Sequence, residues 1–76
     1  MNKKEYNGHR SWNAWNVSLW INNDEPMYRW ASEMVKRHGR RRAARIMAGE
    51  LIGQRTPDGA RYNHTCIYEA IDGITE

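Results

Sequence analysis

The sequence predicts an all-α fold, a compact single domain of three to four short helices. Three observations carry this reading. Apolar residues recur at helical spacing in the patterned segments, helix-start residues precede those segments, and glycines follow them. A chain of 76 residues has room for one small core and no second one. The layout is a polar N-terminal arm over residues 1–10 and a helical domain over residues 11–76.

The first ten residues carry no periodic pattern, and Asn7-Gly8 is a turn dipeptide. Ser11 is a candidate N-cap for a helix over about residues 12–21. A strand competes there, because Trp15, Val17, Leu19 and Ile21 alternate with Asn16, Ser18 and Trp20. Trp20 breaks that alternation, whereas Trp12, Trp15 and Leu19 keep helical spacing, so helix is favoured. Asn23 is a good N-cap for the next helix, with Asp24 and Glu25 at its positive end and Pro26 in its first turn. Met27, Trp30, Ala31, Met34 and Val35 cover one arc of that helix, which Gly39 should stop.

A further helix is expected over about residues 40–52. Ala44, Met47, Ala48 and Leu51 form its apolar side, Arg41, Arg42 and Arg45 share a separate arc, and Gly53 ends it. Thr56-Pro57-Asp58-Gly59 is a strong turn, with Pro preset for the second position and Gly free to take positive φ. A last helix, from about Ala60 or Tyr62 to Asp72, should bury Ile67, Ala70, Ile71 and Ile74, with Gly73 as its cap.

Three of the four tryptophans, Trp12, Trp15 and Trp20, fall within nine residues, and Trp30 follows. The chain has no phenylalanine. Each indole can bury on the order of 200 Å² and needs a partner for its N–H when enclosed. Asn13, Asn16, Asn22 and Asn23 are interleaved with them. The leading expectation is that the indoles supply most of the core. The alternative keeps Trp12, Trp15, Trp20 and Trp30 as candidate aromatic anchors for a partner, since Trp, Tyr and Arg dominate binding hot spots.

The net charge of +3 hides an uneven distribution. Lys36, Arg37, Arg40, Arg41, Arg42 and Arg45 place six cations within ten residues with no acid among them. The rest of the chain holds six basic and nine acidic residues, a net of −3. The basic segment is the strongest functional candidate, because arginines on one helical arc neutralise phosphates and release counterions. A helix, a glycine turn and an arginine-rich helix also resemble a helix-turn-helix loosely, although the arginine-rich helix has few of the side chains that join arginine in reading bases. The competing reading is a solvated face whose arginines pair with Glu33, Glu50 and other nearby acids.

Chemistry-bearing motifs are sparse. His9, His38 and His64 show no ligand spacing, and Cys66 is the single cysteine, so neither a metal site nor an intrachain disulfide is expected. His64 and Cys66, two apart, would point away from one another on a helix. Cys66 reads as a small buried hydrophobe. The glycines match no phosphate-binding loop. The chain therefore reads as a non-enzyme without a cofactor. No apolar run approaches the roughly 20 residues of a membrane span, the start lacks the apolar stretch of a secretory signal, and the lone cysteine suits a reducing, cytoplasmic setting.

The segments YNGHRSWNAWNVSLWINNDE, residues 6–25, and TPDGARYN, residues 56–63, resemble a family of short, uncharacterised proteins of bacteriophages, prophages and other mobile elements of proteobacteria. The resemblance covers nearly the whole chain. It implies a setting, the cytoplasm of a host bacterial cell, and no functional residues. Small phage proteins of this class often act by binding. The leading expectation is thus an accessory protein of the host-takeover or anti-defence type, with a host protein or nucleoprotein complex as partner, using the basic face and aromatic anchors. The alternatives are a small nucleic-acid-binding protein or transcriptional regulator, and an oligomeric structural or virion-associated protein. No membrane partner is expected, and the oligomeric state stays open.

Overall fold

Every described element of this chain is helical, and the loop between the last two helices is tied down by side chains from the first. The computed structural model describes residues 9–74. Three helices follow in order: α1 (Trp12–Asn23), α2 (Glu25–Glu50) and α3 (His64–Ala70). Each packs against the other two. The all-α single domain expected from the pattern is the fold observed. The expected polar arm lies outside the described residues, apart from His9 and Arg10. Arg10 Nη2 sits 2.8 Å from Glu69 Oε2 on α3.

Helix α1 starts at Ser11, whose hydroxyl accepts a hydrogen bond from the Ala14 N–H at 3.1 Å. It buries Ala14, Val17 and Ile21, an i, i+3, i+7 stripe, together with Asn16. The cap of α2 falls one residue later than expected: Asp24, not Asn23, accepts from the Met27 N–H. The Asn23 side chain is engaged elsewhere, donating to the Leu19 carbonyl at 2.9 Å, and cannot cap α2.

Helix α2 contains both helices expected between Asp24 and Gly53. Gly39, with φ 82° and ψ 161°, is non-helical and kinks the element into two arms. That backbone region is essentially open to glycine alone, and the helix resumes at once on its far side. The first arm thus stops at Gly39, as expected, and the second begins directly beyond it. The second arm ends at Glu50 instead of residue 52, and Gly53 takes φ 81° in the turn that follows.

The final helix is shorter than its expected span because residues 60–63 are held in another conformation. Gly59 N–H bonds the Thr56 carbonyl at 2.8 Å, Thr56 N–H bonds the Ala60 carbonyl at 2.9 Å, and Arg55 pairs with Arg61 in an isolated bridge. This is a three-residue hairpin loop with positive φ, 102°, at Gly59, as the Thr-Pro-Asp-Gly turn foretells. Asn63 then caps α3 by accepting from the Cys66 N–H at 2.9 Å. Gly73 does not cap α3; the C-cap is Ile71.

The core is made of aliphatic side chains. Val17, Ile21, Val35, Met47, Ile67 and Ile71 are its largest fully buried apolar members, with alanines 14, 31, 43 and 44 allowing close helix approach and Ala60 buried in the loop before α3. Burying each large aliphatic side chain contributes about 1.5–3 kcal/mol. None of the four tryptophans is buried, which corrects the expectation that they form the core. Trp30 packs against the core while staying half-exposed, and Trp12 is exposed. The α1 indoles stand off the arc of the wheel that Ala14, Val17 and Ile21 occupy, so the smaller side chains face inward.

Candidate functional site

Two arrangements stand out: a brace that joins α1 to the loop before α3, and a basic face on α2.

The brace is built from the α1 asparagines. Asn16 is buried; its Nδ2 donates to Asp58 Oδ2 at 2.9 Å, and its Oδ1 accepts from the Thr56 hydroxyl at 2.6 Å. Thr56 Oγ1 in turn accepts the Ala60 N–H at 2.9 Å. Trp20 Nε1 donates to the same Asp58 oxygen at 2.8 Å, which gives this indole an internal partner. Those two donors, Asn16 first and Trp20 second, hold the Asp58 carboxyl below its ordinary value of 3.8 against a smaller opposing effect of desolvation. Three residues earlier on α1, Asn13 clips the Arg61 backbone at both groups: Nδ2 donates to the carbonyl at 2.9 Å, and Oδ1 accepts from the N–H at 2.8 Å. Asn22 Nδ2 also reaches the Ala70 carbonyl at the end of α3, at 3.0 Å.

These contacts explain why amides alternate with indoles in α1. The sequence displays the alternation, but not the turn, about 40 residues away, that receives the amides. Tyr62, buried beside this loop, has its phenol pKa raised by burial first and by the charge of Asp24 second.

The basic face occupies the second arm of α2 and the end of the first. Arg40 is distinct from its neighbours. Its Nε donates to the Tyr68 carbonyl at 3.0 Å, its Nη1 lies 3.0 Å from Asp72 Oδ1, and its guanidinium carbon stands 3.7 Å from the Tyr68 ring centroid. Tyr68 also stacks with His64, centroids 6.2 Å apart and planes inclined by 15°. Arg40 thus clamps the kink to α3.

Lys36, Arg37, Arg41, Arg42 and Arg45 are exposed. Among the described residues none of the five makes an ion pair; the pairs there are Arg10–Glu69, Arg29–Glu25 and Arg40–Asp72. The pairing with Glu33 and Glu50 that a self-neutralised face would need is not formed. His38, Gly39, Arg40, Arg41, Arg42 and Arg45 bound an open depression of about 460 Å³ at the kink.

The other candidates lie apart from this face. Trp12, on α1, is the most exposed indole at 38%. Trp15 and Trp20 are half-buried on the same helix. Cys66 is buried, with Asn13 Nδ2 3.4 Å from its sulfur. No three His, Cys, Asp or Glu side chains gather as metal ligands among the described residues, and no helix there is long and apolar enough to cross a membrane.

Fold and face together define a small all-helical protein with a concentrated, unneutralised basic surface. The chain belongs to a family of unknown function, DUF7249, whose model matches residues 2–76. No curated protein and no solved structure matches it.

Proposed function

We propose that this chain is a non-enzymatic accessory protein of phage or mobile-element origin that acts by docking its basic α2 face on an acidic surface of a host macromolecule. One observation carries the reading: five exposed cations within ten residues make no ion pair among the described residues, although nine acids are present in the chain. A face kept free of internal neutralisation attracts an opposite field and raises the encounter rate with it. Trp12 is the aromatic side chain most available as an anchor beyond that face.

Binding, as opposed to chemistry, is also favoured by what the titratable groups do. Asp58 serves as acceptor for Asn16 and Trp20, Glu69 pairs with Arg10, and His64 stacks on Tyr68, so each has a packing role.

The test is affinity capture from host lysate with the native chain and with Arg41→Glu/Arg45→Glu, helicity being checked by circular dichroism. A stoichiometric partner held by the native chain and lost from the folded double variant is the expected result. Equal capture by both would sink the reading.

A further inference from the structure

The same face carries a more specific inference, which rests on the docking reading above. We infer that its partner is a nucleic-acid duplex, with the depression at the Gly39 kink seating a backbone phosphate and the flanking cations tracking the strand.

Composition separates phosphate from protein carboxylate. A protein–protein contact depends on apolar or aromatic anchors at its desolvated centre, whereas binding to a phosphate backbone is driven by counterion release and needs none. Within residues 36–45 the only apolar side chains are Ala43 and Ala44, and both are fully buried. The exposed large apolar residues, Trp12, Tyr28 and Ile52, all stand on other segments. The face therefore offers charge and hydrogen-bond donors without an anchor of its own. Four of its five free cations are arginines, whose planar forks match phosphate oxygens two at a time.

Shape points the same way. The depression is open and bounded by His38, Gly39 and four arginines, so it suits a group displayed on a larger surface. Arg40 is anchored by Tyr68 and Asp72, which fixes one wall. Arg41, Arg42 and Arg45 remain free to close on the anion. Lys36 and Arg37 precede the kink and Arg41, Arg42 and Arg45 follow it, so the free cations form two short groups on either side of Gly39. A duplex carries about one phosphate charge per 1.7 Å of axis, both strands counted, so each group finds several phosphates within a few base pairs.

The experiment is fluorescence anisotropy of a labelled 20-base-pair DNA duplex of arbitrary sequence, titrated with the full chain between 50 and 200 mM KCl. Three to five neutralised phosphates give a slope of log K against log salt between about −2.7 and −4.5. Arg41→Gln/Arg42→Gln/Arg45→Gln should reduce the steepness by about 3, and the triple Arg→Lys variant should restore it, because the charge count is restored. All three positions are exposed, and circular dichroism checks that the variants fold.

No binding at 50 mM KCl, a slope indifferent to the triple Gln change, or equal affinity for poly-glutamate of matched charge would each overturn the inference. If the duplex fails while lysate capture still depends on Arg41 and Arg45, the docking reading survives and its partner is an acidic protein. If capture is indifferent to those arginines, the docking reading itself fails.

Discussion

Asn16 and Asp58 are 42 positions apart, yet the amide of the first donates to the carboxylate of the second at 2.9 Å, and this bond ties α1 to the loop before α3. Asn16 is buried and uses both ends of its amide. Replacing it by alanine leaves the Thr56 hydroxyl without its acceptor and opens a void beside it. The expected cost is about 1–3 kcal/mol, a fall in Tm of roughly 5–20 °C for a domain of this size. Thermal unfolding of Asn16→Ala checks it; a change within about 0.5 kcal/mol, the range of an ordinary surface substitution, would show the brace to be incidental.

Asp58 gives the brace a pH dependence of definite sign. Its folded pKa is depressed below 3.8 by the Asn16 and Trp20 donors. The stability it contributes is therefore complete above the unfolded value and drains away as pH falls through the folded one. Asp58→Asn should unfold at lower urea than the native chain at neutral pH, and the gap should close on acidification below about pH 4. A gap of constant size from pH 7 to pH 3 would mean that the carboxylate charge has no part in it.

Much of this fold is legible from short-range signals. Ser11, the Thr-Pro-Asp-Gly turn and the start of α2 act within four residues of themselves, and the structure keeps them, with the α2 cap moved by one position. The core assignment failed for a different reason. The indoles promise more buried area than any neighbour, but burial follows position on the wheel, and Ala14, Val17 and Ile21 hold the inward arc. The truncated start of α3 depends on Asn13 holding the Arg61 backbone, a contact across 48 positions that no local pattern encodes. The basic segment is plain in the sequence; that Arg40 turns inward to Tyr68 while Arg41, Arg42 and Arg45 do not is a property of the packed helices.

That division among the arginines is testable by stability alone. Arg40→Met loses the bond to the Tyr68 carbonyl, the contact with its ring and the pair with Asp72, whose own side chain is 72% exposed and adds little. The combined loss should be about 1–2 kcal/mol. Arg41→Gln and Arg45→Gln should each stay within about 0.5 kcal/mol of the native chain. Urea unfolding of the three variants decides the matter, and equal effects at all three positions would contradict the clamp.

Gly39 and Gly49 lie in one helix and should respond to alanine in opposite directions. Gly39 holds φ 82° and ψ 161°, a conformation that an L-residue with a Cβ adopts at a cost of about 1–3 kcal/mol. Alanine there must either bear that strain or straighten the helix, and straightening pulls Arg40 from Tyr68. Gly49 is not among the positive-φ glycines, and a Cβ built on it meets no atom within 4 Å. Gly49→Ala therefore restricts the unfolded chain and improves helix propensity without a steric penalty, a gain of about 0.4–1 kcal/mol. Urea midpoints should move down for Gly39→Ala and up for Gly49→Ala. If Gly39→Ala were instead as stable as the native chain, with Arg40 still shielded by the Tyr68 ring, the kink would not depend on glycine. The left-handed backbone at that position would then have to be given up as the reason α2 bends.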